Sequence, residues 1–272
     1  MKLLTSLVSI EKRTDVFSSF ERVAHDLINH WEIIHVDRRY QILELEFFAS
    51  SSKLEHLDPF VDEYPIRSTF GRWMLNLNGV ELTLGNADIF LSARFRSVQC
   101  AETGKEFNGP NRVFREIFMD SGDALAPSDL PRLHRIEGGE DVGVIAVPRV
   151  GLNFSEFSEE IDVRADYLLR PYRFSAERFV DLADKYIALL YIDKVSNVSI
   201  PVGAEHGIYK KYLQAYEKGF SGTSMEVVWE ERSKTLRIAR LLGYQAARKV
   251  LILPEMSNQN LDEGLIDELT IN

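Results

Sequence analysis

This chain of 272 residues holds one cysteine, Cys100. That excludes a disulfide framework and a cysteine-rich zinc site, and it fits a reducing, cytoplasmic setting. Long apolar runs are also missing. No stretch approaches the roughly 20 apolar residues a spanning helix needs, so no membrane association is expected. The segment Met1–Ile10 is apolar but broken by Thr5, Ser6 and Ser9, and Glu11-Lys12-Arg13 follows without a small-residue cleavage site. It reads as mature protein rather than as a signal peptide. Positive charge is scarce: 32 Lys and Arg against 42 Asp and Glu leave a net charge of −10. Long nucleic acid is bound mainly through its phosphates, so partners of that kind would need a local basic face. His25 and His30 lack metal-ligand spacing and read as surface residues; no metal and no cofactor are expected. What remains, 45% hydrophobic and 27% charged residues, suits a globular chain with a substantial core.

The cleanest pattern is Tyr40-Gln41-Ile42-Leu43-Glu44-Leu45-Glu46-Phe47-Phe48. Its alternation predicts a strand. Leu43, Leu45 and Phe47 point into a core. Glu44, Glu46 and Phe48 point the other way, together with Ile42. A Glu among aromatic and aliphatic groups is a candidate general base. A strand with one wetted face explains the same pattern, and on this stretch alone both readings stay open.

The flanking segments predict a mixed chain. Val16, Phe20, Val23, Leu27 and Trp31 form one stripe of a helix over 15–31. A short strand over 33–36 and a turn at Asp37-Arg38-Arg39 lead into the carboxylate strand as a hairpin. Residues 71–85 alternate again and fold back at Asn78-Gly79. A strand over 89–98 carries Arg94 and Arg96 on one face. A helix starts after Gly109-Pro110, where Arg112 and Arg115 would add charge beside the helix N-terminus. Residues 120–141 read as an irregular loop, 142–147 as a strand, and 156–162 as an acidic loop. From Ser175, a candidate N-cap, the pattern turns helical over 176–192, 208–218 and 232–250. The last of these helices is basic, and either a solvated face or a partner-facing one accounts for it.

Several of these pieces, in this order, carry a resemblance: the helix ending at Trp31, the strand Leu43 to Phe48, the hairpin over 71–85 leading to Arg94, Asn108-Gly109-Pro110, Arg149-Val150-Gly151, and Arg170-Pro171-Tyr172-Arg173-Phe174. Over roughly residues 15–178 the chain resembles the alkyladenine (3-methyladenine) DNA glycosylase family. The resemblance implies an α+β fold around a curved, mostly antiparallel sheet in residues 1–178, with a helical region over 179–272 that has no counterpart in the family. It implies a monofunctional DNA N-glycosylase of base excision repair, a hydrolase that flips a modified base out of DNA. Glu46 falls on the catalytic Glu that activates water, and Phe48 on an aromatic that stacks on the base. His56 lies one residue from a base-contacting His, and Arg94 falls on an Arg that contacts the DNA backbone. The family's hairpin tyrosines correspond to Met74, Asn76 and the tip residue Asn78, and a selectivity Asn corresponds to Gly85. Trp73 and Met74 are left to form an apolar slot with Phe48, and Asn78, Arg112 and Arg115 to meet DNA. These departures imply a substrate other than the family's usual purine. A non-catalytic nucleic-acid-binding or protein-interaction module on the same fold is the alternative, and an enzyme of small nucleosides is a third reading.

Overall fold

The computed structural model describes residues 15–76, 79–119, 130–136, 138, 141–149, 151–155, 159–177, 185–195 and 207–248. The fold is mixed α+β, with a curled antiparallel sheet and C-terminal helices. Contacts divide the chain into two compact units, Met1–Ala146 with Tyr172–Phe179 and Val147–Pro171 with Val180–Asn272. The sequence placed the division after 178. The structure moves 147–171 into the second unit as well.

In the first unit, helix α1 (Asp15–His30) runs into β1 (Trp31–His35), which returns as β2 (Arg38–Ser51). Trp31 opens the strand instead of closing the helix, and its indole N–H donates to Asp26 Oδ2 at 2.8 Å. Next come β3 (His56–Leu57), a single 3-10 turn at Pro65–Ser68, β4 (Phe70–Asn76), β5 (Gly79–Leu84), β6 (Phe90–Cys100) and β7 (Glu106–Asn108). The helix after Gly109 is short: α2 (Pro110–Phe114) passes directly into a π-helical turn, Arg115–Met119. Strand β8 (Arg132–Arg135) lies in the segment read as a loop. Its four residues hold two arginines, a histidine and little apolar pattern, and pairing with β1 is what makes it a strand. Strand β9 (Val144–Val147) pairs with β10 (Arg173–Ala176).

The main path of the sheet is β4-β5-β6-β2-β1-β8. Strand β2 organises it. One side of β2 pairs with β6 along most of its length, while the other pairs successively with β1, β10 and β3. The sheet curls enough for Trp73 on β4 to donate to the Pro131 carbonyl, at 2.6 Å, just before the opposite edge strand. One face is apolar. Residues directly opposite one another across antiparallel strands share a face, so Trp73, Leu82, Ala93 and Phe47 form one row. Helix α1 covers this face: Phe20 stacks on Phe47 at 4.7 Å and meets Tyr172 edge-on at 5.1 Å. Ser175, expected to cap a helix, is a buried β10 residue opposite Glu44.

The second unit contains α3 (Ile161–Leu169), α4 (Lys185–Val195), α5 (Gly207–Ser221), α6 (Glu226–Trp229) and α7 (Lys234–Ala247). Helix α3 begins inside the segment read as an acidic loop. Ser233 caps α7 by accepting from Leu236 N. Three cations on or beside α7 donate to backbone carbonyls, and of these Arg240 is buried, Arg237 half-buried and Arg248 exposed. Arg237 donates to Glu231 O, Arg240 to Val227 O, and Arg248, just past the helix, to Thr223 O. They tie α7 to the turns around α6, while Arg232 and Lys234 stay exposed at its start. Gly219 and Gly243 let α5 and α7 approach closely: a Cβ at Gly243 would overlap the Tyr216 carbonyl oxygen. Gly243→Ala gains about 1 kcal/mol of helix propensity. The overlap is with rigid backbone, so the clash wins, and urea unfolding is expected to show a net loss of about 1–3 kcal/mol.

A buried charge ladder as candidate active site

The second face of the sheet holds the two carboxylates of the alternating strand. Because β2, β5, β6 and β10 all alternate, the register sets Glu81, Arg94, Glu46 and Arg173 in one row across four strands, with Met74 beyond Glu81 on β4. Charge alternates along that row. A β-bulge leaves Arg96 between Ser97, opposite Glu44, and Phe95, opposite Leu45. Arg96 therefore reaches both acids: its Nη1 donates to Glu46 Oε2 at 3.2 Å, and its Nε lies 3.6 Å from Glu44 Oε2.

Every charge in the ladder meets an opposite one. Arg173 Nε donates to Glu44 Oε1, and Ser97 Oγ to Glu44 Oε2 at 3.0 Å. Arg94 lies 3.6 Å from Glu46 Oε2 and donates to Glu81 Oε1 through Nη2 at 2.7 Å. Glu81 also accepts from Arg67 at 3.0 Å, Ser92 at 2.6 Å and Asn76 at 2.9 Å. The Arg94 guanidinium lies 4.3 Å over the Phe48 ring, a cation–π contact that strengthens as water is removed. Glu44, Glu46, Glu81 and Arg173 are 2%, 1%, 0% and 1% exposed. The face is therefore neither wetted nor apolar, and ions this deep persist only when paired.

Burial pushes the Glu81 carboxyl up, but Arg94 and Arg67, with hydrogen bonds from Ser92 and Arg94, outweigh it and hold the group below its ordinary value of 4.5. The sign follows from linkage. A carboxyl depressed in the folded state contributes its stability above the unfolded value and loses it as pH falls toward the folded one. Acid titration of the fold is thus expected to show a loss of stability beginning below about pH 4.5. Glu81→Gln makes that slope shallower in urea midpoints measured against pH.

The structure divides the residues expected at the site. Glu46, Phe48, Met74, Asn76 and Arg94 share the ladder face. Trp73 belongs to the opposite face, with its ring 5.5 Å from Phe95, because it is one residue out of phase with Met74. His56 pairs with Ser51 on β3. It therefore falls on the Phe47 side, where its ring lies 5.7 Å from Tyr172, and does not join Glu46. Arg94 is buried between two acids rather than displayed to a DNA backbone. Arg112 and Arg115 are exposed on α2 and the turn after it. Asn78 lies outside the described residues. Sequence reasoning missed Glu81, Arg67 and Arg173. Glu81 had a signal, since Val80-Glu81-Leu82-Thr83-Leu84 repeats the alternation of β2.

Chemically, the ladder offers a carboxylate, Glu46, fixed in a water-poor setting beside a guanidinium and an aromatic ring. Among the described residues no group of His, Cys, Asp or Glu could hold a metal ion, and no helix is long and apolar enough to cross a membrane. No protein-family model matches the chain, and no match to a curated protein was found.

Proposed function

We propose that this chain hydrolyses the N-glycosidic bond of a modified base flipped out of DNA, with Glu46 as general base. The observation that carries this reading is the grouping of Glu46, Arg94 and Phe48 on one sheet face, with the Arg94 guanidinium 3.6 Å from the acid and 4.3 Å over the ring. In this mechanism Glu46 takes a proton from water as the water attacks the sugar carbon. Its charge stabilises the cationic sugar of the transition state, and the base departs with the bonding electron pair. Phe48, Met74 and Asn76 lie on the same sheet face as Glu46 and would receive the base there, and the exposed Arg112 and Arg115 would supply phosphate contacts. Arginines beside Glu46 cannot form the covalent imine a lysine would, which favours a one-step hydrolysis. Glu46 is almost wholly covered, so the extruded nucleotide must open that cover. Extrusion itself costs a few kcal/mol, least for a damaged base. The single buried cysteine suits a cytoplasmic setting.

One observation favours a second reading. Glu46 is held by Arg94 and Arg96 as a structural ion pair would be, which is what a non-catalytic binding module on this fold requires. A panel of duplex and single-stranded DNA carrying modified bases, together with free nucleosides, separates the two. Release of a modified base from DNA is the expected result. Salt-dependent binding without release selects the second reading, and indifference to DNA at low salt removes both.

A further inference from the structure

We infer that Glu81 is a positioning residue for the Glu46 site, acting through Arg94. This role rests on the hydrolase reading above. Glu81 sits opposite Arg94 on the neighbouring strand, fully buried, and holds the guanidinium by two bonds, from Nε at 3.2 Å and Nη2 at 2.7 Å. Arg67 and Ser92 fix the other carboxylate oxygen. Arg67 is itself anchored by its Nη1 on the Asp62 carbonyl at 2.6 Å. Glu81 is thus immobilised from the turn at residues 65–68 and from β6, and passes that rigidity to Arg94. Arg94 then has one orientation, with its guanidinium carbon 4.3 Å from the Phe48 ring centroid and Nη1 3.6 Å from Glu46 Oε2. Without Glu81 the same cation would swing toward Glu46, the nearest remaining acid on its row, and its charge would bear on that carboxylate alone. Glu81 therefore sets how much positive charge the base feels and where the stacking platform lies.

Asn76 extends this arrangement to the hairpin. Its side-chain amide donates to Glu81 Oε1, the oxygen that also accepts from Arg94. A group entering beside Phe48 and Met74 and drawing Asn76 away would loosen the same clamp.

The test compares Glu81→Gln with wild type for kcat, KM and the pH profile of base release. The expected result is a fall in kcat of up to about 100-fold, the scale of an ångström of misplacement, with KM unchanged. The acid limb of kcat/KM moves to lower pH. A merely structural role lowers activity only with the folded fraction and leaves the limb in place, and that outcome overturns the inference. Should Glu81→Gln not fold, Arg67→Met/Glu81→Gln removes one charge of each sign and is expected to move the limb in the same direction; an unmoved limb again overturns it. A measurement independent of activity completes the test. The Arg94 Nε–H resonance is expected to be protected from exchange in the wild type and lost in the variant, while that of Arg173 persists. If wild-type protein releases no base, the functional reading falls, and the Arg94 resonance still decides the positioning.

Discussion

Glu46→Gln is expected to abolish base release while the protein stays folded. A general base contributes about 10²- to 10⁴-fold to rate, and the amide can neither accept the proton nor stabilise a cationic sugar. Gln is nearly isosteric and keeps a carbonyl oxygen for Arg96, whose Nη1 donates to Glu46 Oε2 at 3.2 Å. Strands β2 and β6 then keep their register. What is lost is charge opposite Arg94 and Arg96, so a lower urea midpoint accompanies the effect. Circular dichroism fixes the folded fraction, and single-turnover release on the responsive substrate gives the rate. A rate within about tenfold of wild type, well under the general-base range, would show that Glu46 is not the base.

Arg173→Met carries the second large effect, and it falls on stability. Arg173 is buried at the edge of the ladder, donates to Glu44, and lies on β10, which pairs with β2 over Arg173–Ser175. Removing Arg173 leaves Glu44, among the described residues, only the more distant Arg96, at 3.6 Å, and breaking a buried pair in this way costs up to about 3–5 kcal/mol. Against a total stability of about 5–15 kcal/mol, that is a third or more of the fold. Glu44→Gln in the Arg173→Met background is expected to cost less than the two single losses added, because the stranded charge is then gone. The coupling expected between contacting residues is about 0.5–3 kcal/mol. Strict additivity would mean that Glu44 and Arg173 do not depend on each other. The two experiments are also expected to distinguish the acids of β2: release should depend on Glu46, and the larger fall in unfolding midpoint should follow loss of the Glu44 counter-ion.

Much of the fold was legible because it is written in local periodicity. The stripe Val16, Phe20, Val23 and Leu27 makes α1, and alternation makes β2, β5 and β6. Segments without a period of their own were not legible. Strand β8 exists because β1 offers it an edge, and β10 takes Ser175 and Ala176 from a segment that otherwise resembles a helix start. Site membership was legible only in part. Trp73 and Met74 are adjacent in sequence, yet the pleat sends them to opposite faces. His56 is brought back by β3 on the wrong face for Glu46.

The sequence by itself determined that Glu44 and Glu46 share a face, that Leu43, Leu45 and Phe47 face the other way, and that Arg94 and Arg96 lie on a strand of the same period. It could not determine what meets those acids. Their partners come from β6 and β10, separated from β2 by long stretches of chain, and only strand register and one bulge bring them together. A face of Glu residues is soluble when alone and buried when Arg residues cover it, and the alternation is identical in both cases. Tertiary structure decided the matter by placing Glu81, Arg94, Glu46 and Arg173 side by side across four strands. That made a charged strand face part of the interior.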